Sequence, residues 1–205
     1  MNGLLKRSLK VIPALTLTVM FASLAWAETY TIDKNHSSIG FGITHLMVST
    51  VRGTFTDTDG TIQFDPANPE ATAAEVTIKS ASINTQNADR DKHLSTADFF
   101  DVEKYPTITF KTKSVKKEGT EYLLTGDLTM HGVTKEITIP VVINGPVKGP
   151  KGNPIIGLSG QTKINRQDFG ITWNKQLDQG GYMLGDDVAI EVNIEANIPV
   201  EAAKS

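Results

Sequence analysis

Apolar and polar residues alternate with a period of two along most of this chain. Ile137, Ile139, Val141 and Ile143 share one phase of such a run, and Val188, Ile190, Val192 and Ile194 share one phase of another. Successive side chains of a strand point to opposite faces, so this period predicts strands with one apolar face. The same pattern groups Ile39 with Phe41 and Ile43, Val51 with Gly53 and Phe55, Ile62 with Phe64, and Ile108 with Phe110. It also groups Tyr122, Leu124, Gly126, Leu128 and Met130, and then Ile156, Leu158, Thr162 and Ile164. Val76 and Ile78 begin a strand that runs towards Ile83, and a last strand covers Val188 to Ile198.

Turn signals separate these runs. Asp59-Gly60 reads as a hairpin turn, because glycine reaches positive φ without strain. Asp65-Pro66, Lys116 to Gly119 and His131-Gly132 read as turns, and Gly145 to Pro154 as a Gly/Pro-rich surface loop. Arg166 to Gly185 has no period and reads as irregular, and the tail from Glu201 to Ser205 as frayed. Eight or nine strands joined by short connections predict an all-β sandwich or an up-and-down antiparallel barrel. No βα repeat supports a parallel sheet.

One long segment breaks the alternation. Asn84 to Pro106 is charged and aperiodic, and it predicts an insert of one or two short helices. Asn87 is placed to cap the first and Thr96 the second.

The N-terminus adds a destination. Lys6, Arg7 and Lys10 precede a mostly apolar stretch from Val11 to Leu24, and Ala25-Trp-Ala27 has the form of a cleavage site. Fourteen helical residues reach only about 21 Å, short of a hydrocarbon core of about 30 Å. Residues 1–27 are therefore expected to be a cleaved signal peptide, with 28–205 as one domain, periplasmic or secreted by a bacterium. The remaining chain carries 17 basic and 23 acidic residues, a net charge of −6, which argues against nucleic acid or an anionic membrane surface as partner. With no cysteine, neither a disulfide nor a lipid anchor on cysteine is available.

Motifs for chemistry are sparse. Asp57-Thr-Asp59-Gly60 resembles part of a calcium loop, but Phe55 and Pro66 would fall at its first and twelfth positions. His36, His45, His93 and His131 form no close pair at metal-site spacing, and there is no thiolate, so no metal and no cofactor are expected. Gly157-Leu-Ser159-Gly160 is one residue short of a serine-hydrolase elbow, and no glycine-rich phosphate loop exists. The local polar cluster is Arg90, Asp91 and His93. It reads either as a head-group site at the mouth of a cavity or as a solvated helix face with a local salt bridge. Phe99 and Phe100 read as packing between insert and barrel. Trp173 either lines an opening or fills a gap.

Asn84-Thr85, Arg90-Asp-Lys-His-Leu94, Asp98-Phe-Phe100, Tyr105-Pro106 and Thr109-Phe110 together resemble the signature of the YceI family of bacterial periplasmic proteins. His36-Ser37, Gly53-Thr-Phe55, Gly60 to Asp65, Leu124 to Leu128, His131 to Thr134 and Asp168-Phe-Gly170 extend the likeness in order. The resemblance implies a lipocalin-like antiparallel β-barrel holding a long isoprenoid or acyl chain, often as a homodimer. It implies a binder or carrier without catalytic residues. In such a barrel Ile39, Phe41, Ile43, Phe110, Leu128, Ile139, Val141, Ile190 and Val192 occupy the inward phase and should line the cavity, with Arg90, His93 and Trp173 near its mouth. Two other readings are an enzyme acting on a lipid in the barrel and an outer-membrane barrel with its apolar face outward. The second would need aromatic girdles and strands of about ten residues, whereas aromatics make up 7% of the chain and many apolar runs are shorter, so no stable membrane insertion is expected.

Overall fold

The computed structural model describes residues 27–199. The segment expected to be removed, apart from Ala27, and the expected frayed tail lie outside the described residues. Eleven strands are present among them: β1 (Glu28–Ile32), β2 (Ser38–His45), β3 (Ser49–Phe55), β4 (Thr58–Phe64), β5 (Ala73–Lys79), β6 (Ile83–Asn84), β7 (Thr107–Glu118), β8 (Glu121–Met130), β9 (Val133–Lys148), β10 (Pro154–Asn165) and β11 (Leu184–Asn197). One α-helix, α1 (Ala88–Leu94), lies in the insert.

Eight strands close an antiparallel barrel in the order β1–β4–β5–β7–β8–β9–β10–β11, and β11 returns to β1 through Thr31↔Asn197 and Ile32↔Ala196. β11 uses the rest of that same edge, from Leu184 to Asn193, to pair with β2. β2, β3 and β6 thus form a three-stranded flap that leaves the barrel at its seam. Register carries the apolar phase through both parts. Gly160, Val192, Ile39, Phe55 and Ile83 form one row across β10, β11, β2, β3 and β6.

The inward phase is the core. Tyr30, Ile62, Ile156 and Ala196 are almost completely buried. The outward phase is polar, as the row Glu75, Lys111, Asp127 and Glu136 across β5, β7, β8 and β9 illustrates. Lys111 pairs with Glu75 at 2.6 Å, and Lys113 with Asp127 at 2.6 Å and Glu136 at 3.2 Å. Such exposed pairs keep the outer face wet and add little stability. No helix among the described residues is long and apolar enough to cross a membrane.

Four local expectations are corrected. Asp59-Gly60 is not a turn: both lie within β4, and β3 and β4 do not pair. Gly60 is needed because β5 approaches so closely that a Cβ would collide with the Glu75 carbonyl oxygen. Gly145 to Pro154 is not one loop, since β9 continues to Lys148. Pro146 sits where the β9–β10 register shifts between Ile155 and Gly157, a place that needs no ladder N–H. The strand towards Ile83 is interrupted by a 3₁₀ turn at Ser80–Ser82. A second helix after Thr96 does not form; successive turns replace it, with Phe99 N–H on Thr96 O at 3.0 Å and Asp101 left-handed at φ 45°.

Candidate functional site

The flap, the insert and one end of the barrel enclose two apolar chambers set end to end. The outer chamber, about 290 Å³, lies between β2, β3, β11 and the insert. The inner one, about 110 Å³, lies within the barrel. Phe55, Met130, Ile164 and Ile190 line both and form the partition. Every residue lining the inner chamber is apolar.

All twelve residues anticipated from the sequence fall on these walls. Ile39, Phe110, Leu128, Ile139, Val141 and Val192 line the inner chamber. Phe41, Ile43, Arg90, His93 and Trp173 line the outer one, and Ile190 lines both. Phe41 needs room on the flap, which Gly53 supplies: a Cβ there would meet the Phe41 ring. Phe99 and Phe100 pack as anticipated, and they also line the outer chamber. Phe55 anchors the aromatic wall, 5.8 Å from Phe41 and 5.6 Å from Phe100, the latter edge to face.

The insert is fastened by a small polar lock. Asn87 caps α1, its Oδ1 accepting from Arg90 N at 3.0 Å. Arg90 Nε donates to Thr85 Oγ1 at 2.7 Å, and its Nη2 donates to Thr85 O at 2.8 Å. Asp91 Oδ1 accepts from Thr85 N at 2.9 Å and from Thr85 Oγ1 at 2.6 Å. Arg90 and Asp91 therefore share Thr85 rather than pairing with each other. Asp91 is committed to this lock, whereas Arg90 also borders the chamber. His93 reaches Asp98 through Nε2 at 3.0 Å, and its ring meets Phe99 at 5.0 Å and Trp173 at 5.2 Å, both edge to face.

Sequence reasoning missed Arg166. It is 3 % exposed and donates to three main-chain carbonyls: Gly185 at 2.9 Å, Ile171 at 2.8 Å and Trp173 at 2.8 Å. Asp186 stands 3.4 Å away. Burial lowers the guanidinium's pKa from its usual value, and the charge of Asp186 opposes that shift. One side chain thus holds the irregular segment that brings Ile171, Trp173, Met183 and Leu184 to the chamber. No periodicity marks such a segment. The His131-Gly132 turn forms as expected, with both residues left-handed, and His131 Nδ1 lies 3.1 Å from Phe169 O.

The chemistry available is one-sided. The outer chamber is bordered by Arg90, Arg166, His45 and His93, with no carboxylate and no hydroxyl in its wall. It presents hydrocarbon and hydrogen-bond donors, with no nucleophile beside a base. A larger concavity of about 780 Å³ lies on the outer face over Gly40, Gly42 and Ala189. Gln161, Lys163, Asp187 and Arg52 border it, so it is a polar surface groove.

Residues 30–196 match the YceI-like domain. A UPF0312 protein of Pseudomonas syringae pv. syringae is 46% identical over 171 residues, covering 82% of this chain and 88% of that protein. A UPF0312 protein of Staphylococcus aureus is 43% identical over 170 residues, covering 82% and 97%. Among solved structures, the Campylobacter jejuni YCEI protein superposes with a TM-score of 0.66 at 34% identity, covering 92% of this chain and 99% of that one. A polyisoprenoid binding domain from Saccharophagus degradans shares the fold, with a TM-score of 0.63 at 15% identity and coverage of 83% and 98%. The match runs from the first barrel strand to the last, and the chain belongs to the YceI-like family.

Proposed function

We propose that this protein binds and carries a long-chain lipid, foremost a polyisoprenoid, in its two chambers. The observation that carries the reading is the inner chamber, whose wall is entirely hydrocarbon. A slender apolar chain is the ligand such a wall accepts, because it leaves no polar group of the ligand unpaired. Each buried CH₂ contributes about 0.8 kcal/mol, so about ten contribute roughly 8 kcal/mol before ordering costs. The Saccharophagus degradans domain named for polyisoprenoid binding supports the same ligand class.

The tail lies inward, past Ile190 and Met130, and the head stays in the outer chamber. There Arg90, His45 and His93 favour an oxygen-bearing, acceptor-rich head such as a quinone carbonyl. The role is stoichiometric carriage rather than turnover. The N-terminal segment directs the chain to the periplasm and is removed after Ala27, and two copies associate as a dimer.

Mass spectrometry of an organic extract from purified protein tests the ligand. A long-chain isoprenoid or acyl lipid at near one per chain is expected. Absence of such a lipid, together with failure to bind prenyl quinones or fatty acids when offered, overturns the carrier reading. Intact mass of the exported protein tests the processing: retention of residues 1–27 contradicts it.

A further inference from the structure

Between β1 and β2 the chain crosses the barrel seam, and three side chains with metal-binding atoms meet there. We propose that Asp33, His36 and Glu195 form a site for a transition-metal dication of the zinc class. His36 Nδ1 stands 3.0 Å from Asp33 Oδ2 and 3.7 Å from Glu195 Oε1. The three ligand atoms lie within 4.8 Å of one another. Zinc bonds of 2.0–2.2 Å at tetrahedral angles set neighbouring ligand atoms about 3.4 Å apart. The two measured separations bracket that value.

A histidine–aspartate hydrogen bond accounts for the 3.0 Å contact, whereas Glu195 at 3.7 Å is beyond hydrogen-bond distance. Nδ1 carries either one hydrogen or one lone pair, so it cannot serve two carboxylates at once. Glu195 has no Lys or Arg partner among the described residues, and its approach to His36 is its one ionic contact there. The adjacent Lys34 is engaged by Asp57 and Asp59, each at 2.9 Å. A dication between the three groups satisfies both carboxylates and the imidazole lone pair together.

The supporting backbone already holds the ligands in place. Asp33 N donates to Glu195 O at 2.8 Å. Ser37 Oγ donates to Glu195 O at 3.1 Å and accepts from Glu195 N at 3.0 Å. Asn35 N occupies Asp33 Oδ1 at 2.9 Å and leaves Oδ2 for His36. His36 is 64% exposed, so water can complete the coordination. The imidazole selects zinc, nickel or copper over calcium and magnesium. Spacing between histidines misses this cluster because its other ligands are carboxylates: Asp33 lies three residues before His36 in the β1–β2 connection, and Glu195 is brought beside them by β11.

Zinc titration of chelator-stripped protein tests the proposal. Calorimetry is expected to give one site, and a hundredfold excess over the dissociation constant should raise the melting temperature by about 8 °C. Calcium and magnesium should do neither. In the nuclear magnetic resonance spectrum the His36 ring nitrogens should shift on zinc addition. His36→Ala and Glu195→Gln should each weaken zinc at least tenfold. Glu191→Gln, on the same strand but away from the cluster, should not. Absence of zinc binding, or equal affinity in the wild type and His36→Ala, overturns the site.

Discussion

Thr85 holds Arg90 by two hydrogen bonds, one to its hydroxyl at 2.7 Å and one to its carbonyl oxygen at 2.8 Å. The same hydroxyl donates to Asp91 at 2.6 Å. The wall of the outer chamber therefore rests on a buried threonine, not on an ion pair. Thr85→Val keeps the shape and deletes the hydroxyl. It should cost about 2 kcal/mol and lower the melting temperature by about 6 °C, read by calorimetry. An unchanged melting temperature would show that the lock carries no stability.

Ile190 and Glu191 are neighbours on β11 with opposite faces. Ile190→Asp places a carboxylate at the partition of the two chambers, where its burial is unfavourable. Bound lipid per folded protein should fall severalfold, and stability should fall too. Glu191→Ala should change neither. Folding is checked by circular dichroism. A folded Ile190→Asp that keeps its lipid contradicts the assignment of the chambers.

Arg166→Lys tests the anchor of the irregular segment. A lysine presents one point charge where a planar fork now reaches three carbonyls, so at least one buried carbonyl is left unpaired. A loss of about 3 kcal/mol in denaturant unfolding is expected, with altered Trp173 fluorescence because the Trp173 carbonyl is one of the three. Wild-type stability with an unchanged spectrum refutes the anchoring role.

Tyr30 makes stability fall at high pH. Its side chain is fully buried, and its hydroxyl donates to Glu28 Oε2 at 3.1 Å. Desolvation first, then that hydrogen bond and the Glu28 charge, push its pKa from 10.0 up to about 12. The folded state thus favours the neutral phenol. Its contribution is complete below pH 10 and is lost as the pH rises towards 12, by about 2–3 kcal/mol. Urea unfolding from pH 9 to 12 should show the advantage of the wild type over Tyr30→Phe shrinking by that amount. Parallel curves would count against it.

The barrel was legible because period-two alternation specifies which face is buried, as Ile190 and Glu191 or Phe110 and Lys111 illustrate. The same logic placed the nine anticipated strand residues, from Ile39 to Val192, on a chamber wall. What stayed hidden depends on contacts between distant segments. Gly60 has the signature of a turn, yet it is required by the approach of β5. Pro146 reads as a loop until the register shift opposite it is known. Arg166 and Thr85 act through hydrogen bonds that leave no period. The Asn87 cap was readable because capping is local, whereas Thr96 was misread because a cap signal alone does not make a helix.

β11 has a consequence for the order in which the molecule can mature. One of its edges pairs with β10, and the other is divided between β1 and β2. The Ser37–Glu195 contact at this seam joins residues 158 apart. A nascent chain that has not yet delivered Leu184 has neither a closed barrel nor a tethered flap. Its earlier strands must then wait with their apolar faces uncovered, so closure is a late step that follows a long loop search. A product truncated before Leu184 is expected to aggregate rather than fold partially. For the same reason the two chambers do not exist until the last strand is in hand, so a ligand can enter them only on a finished chain, never on a growing one.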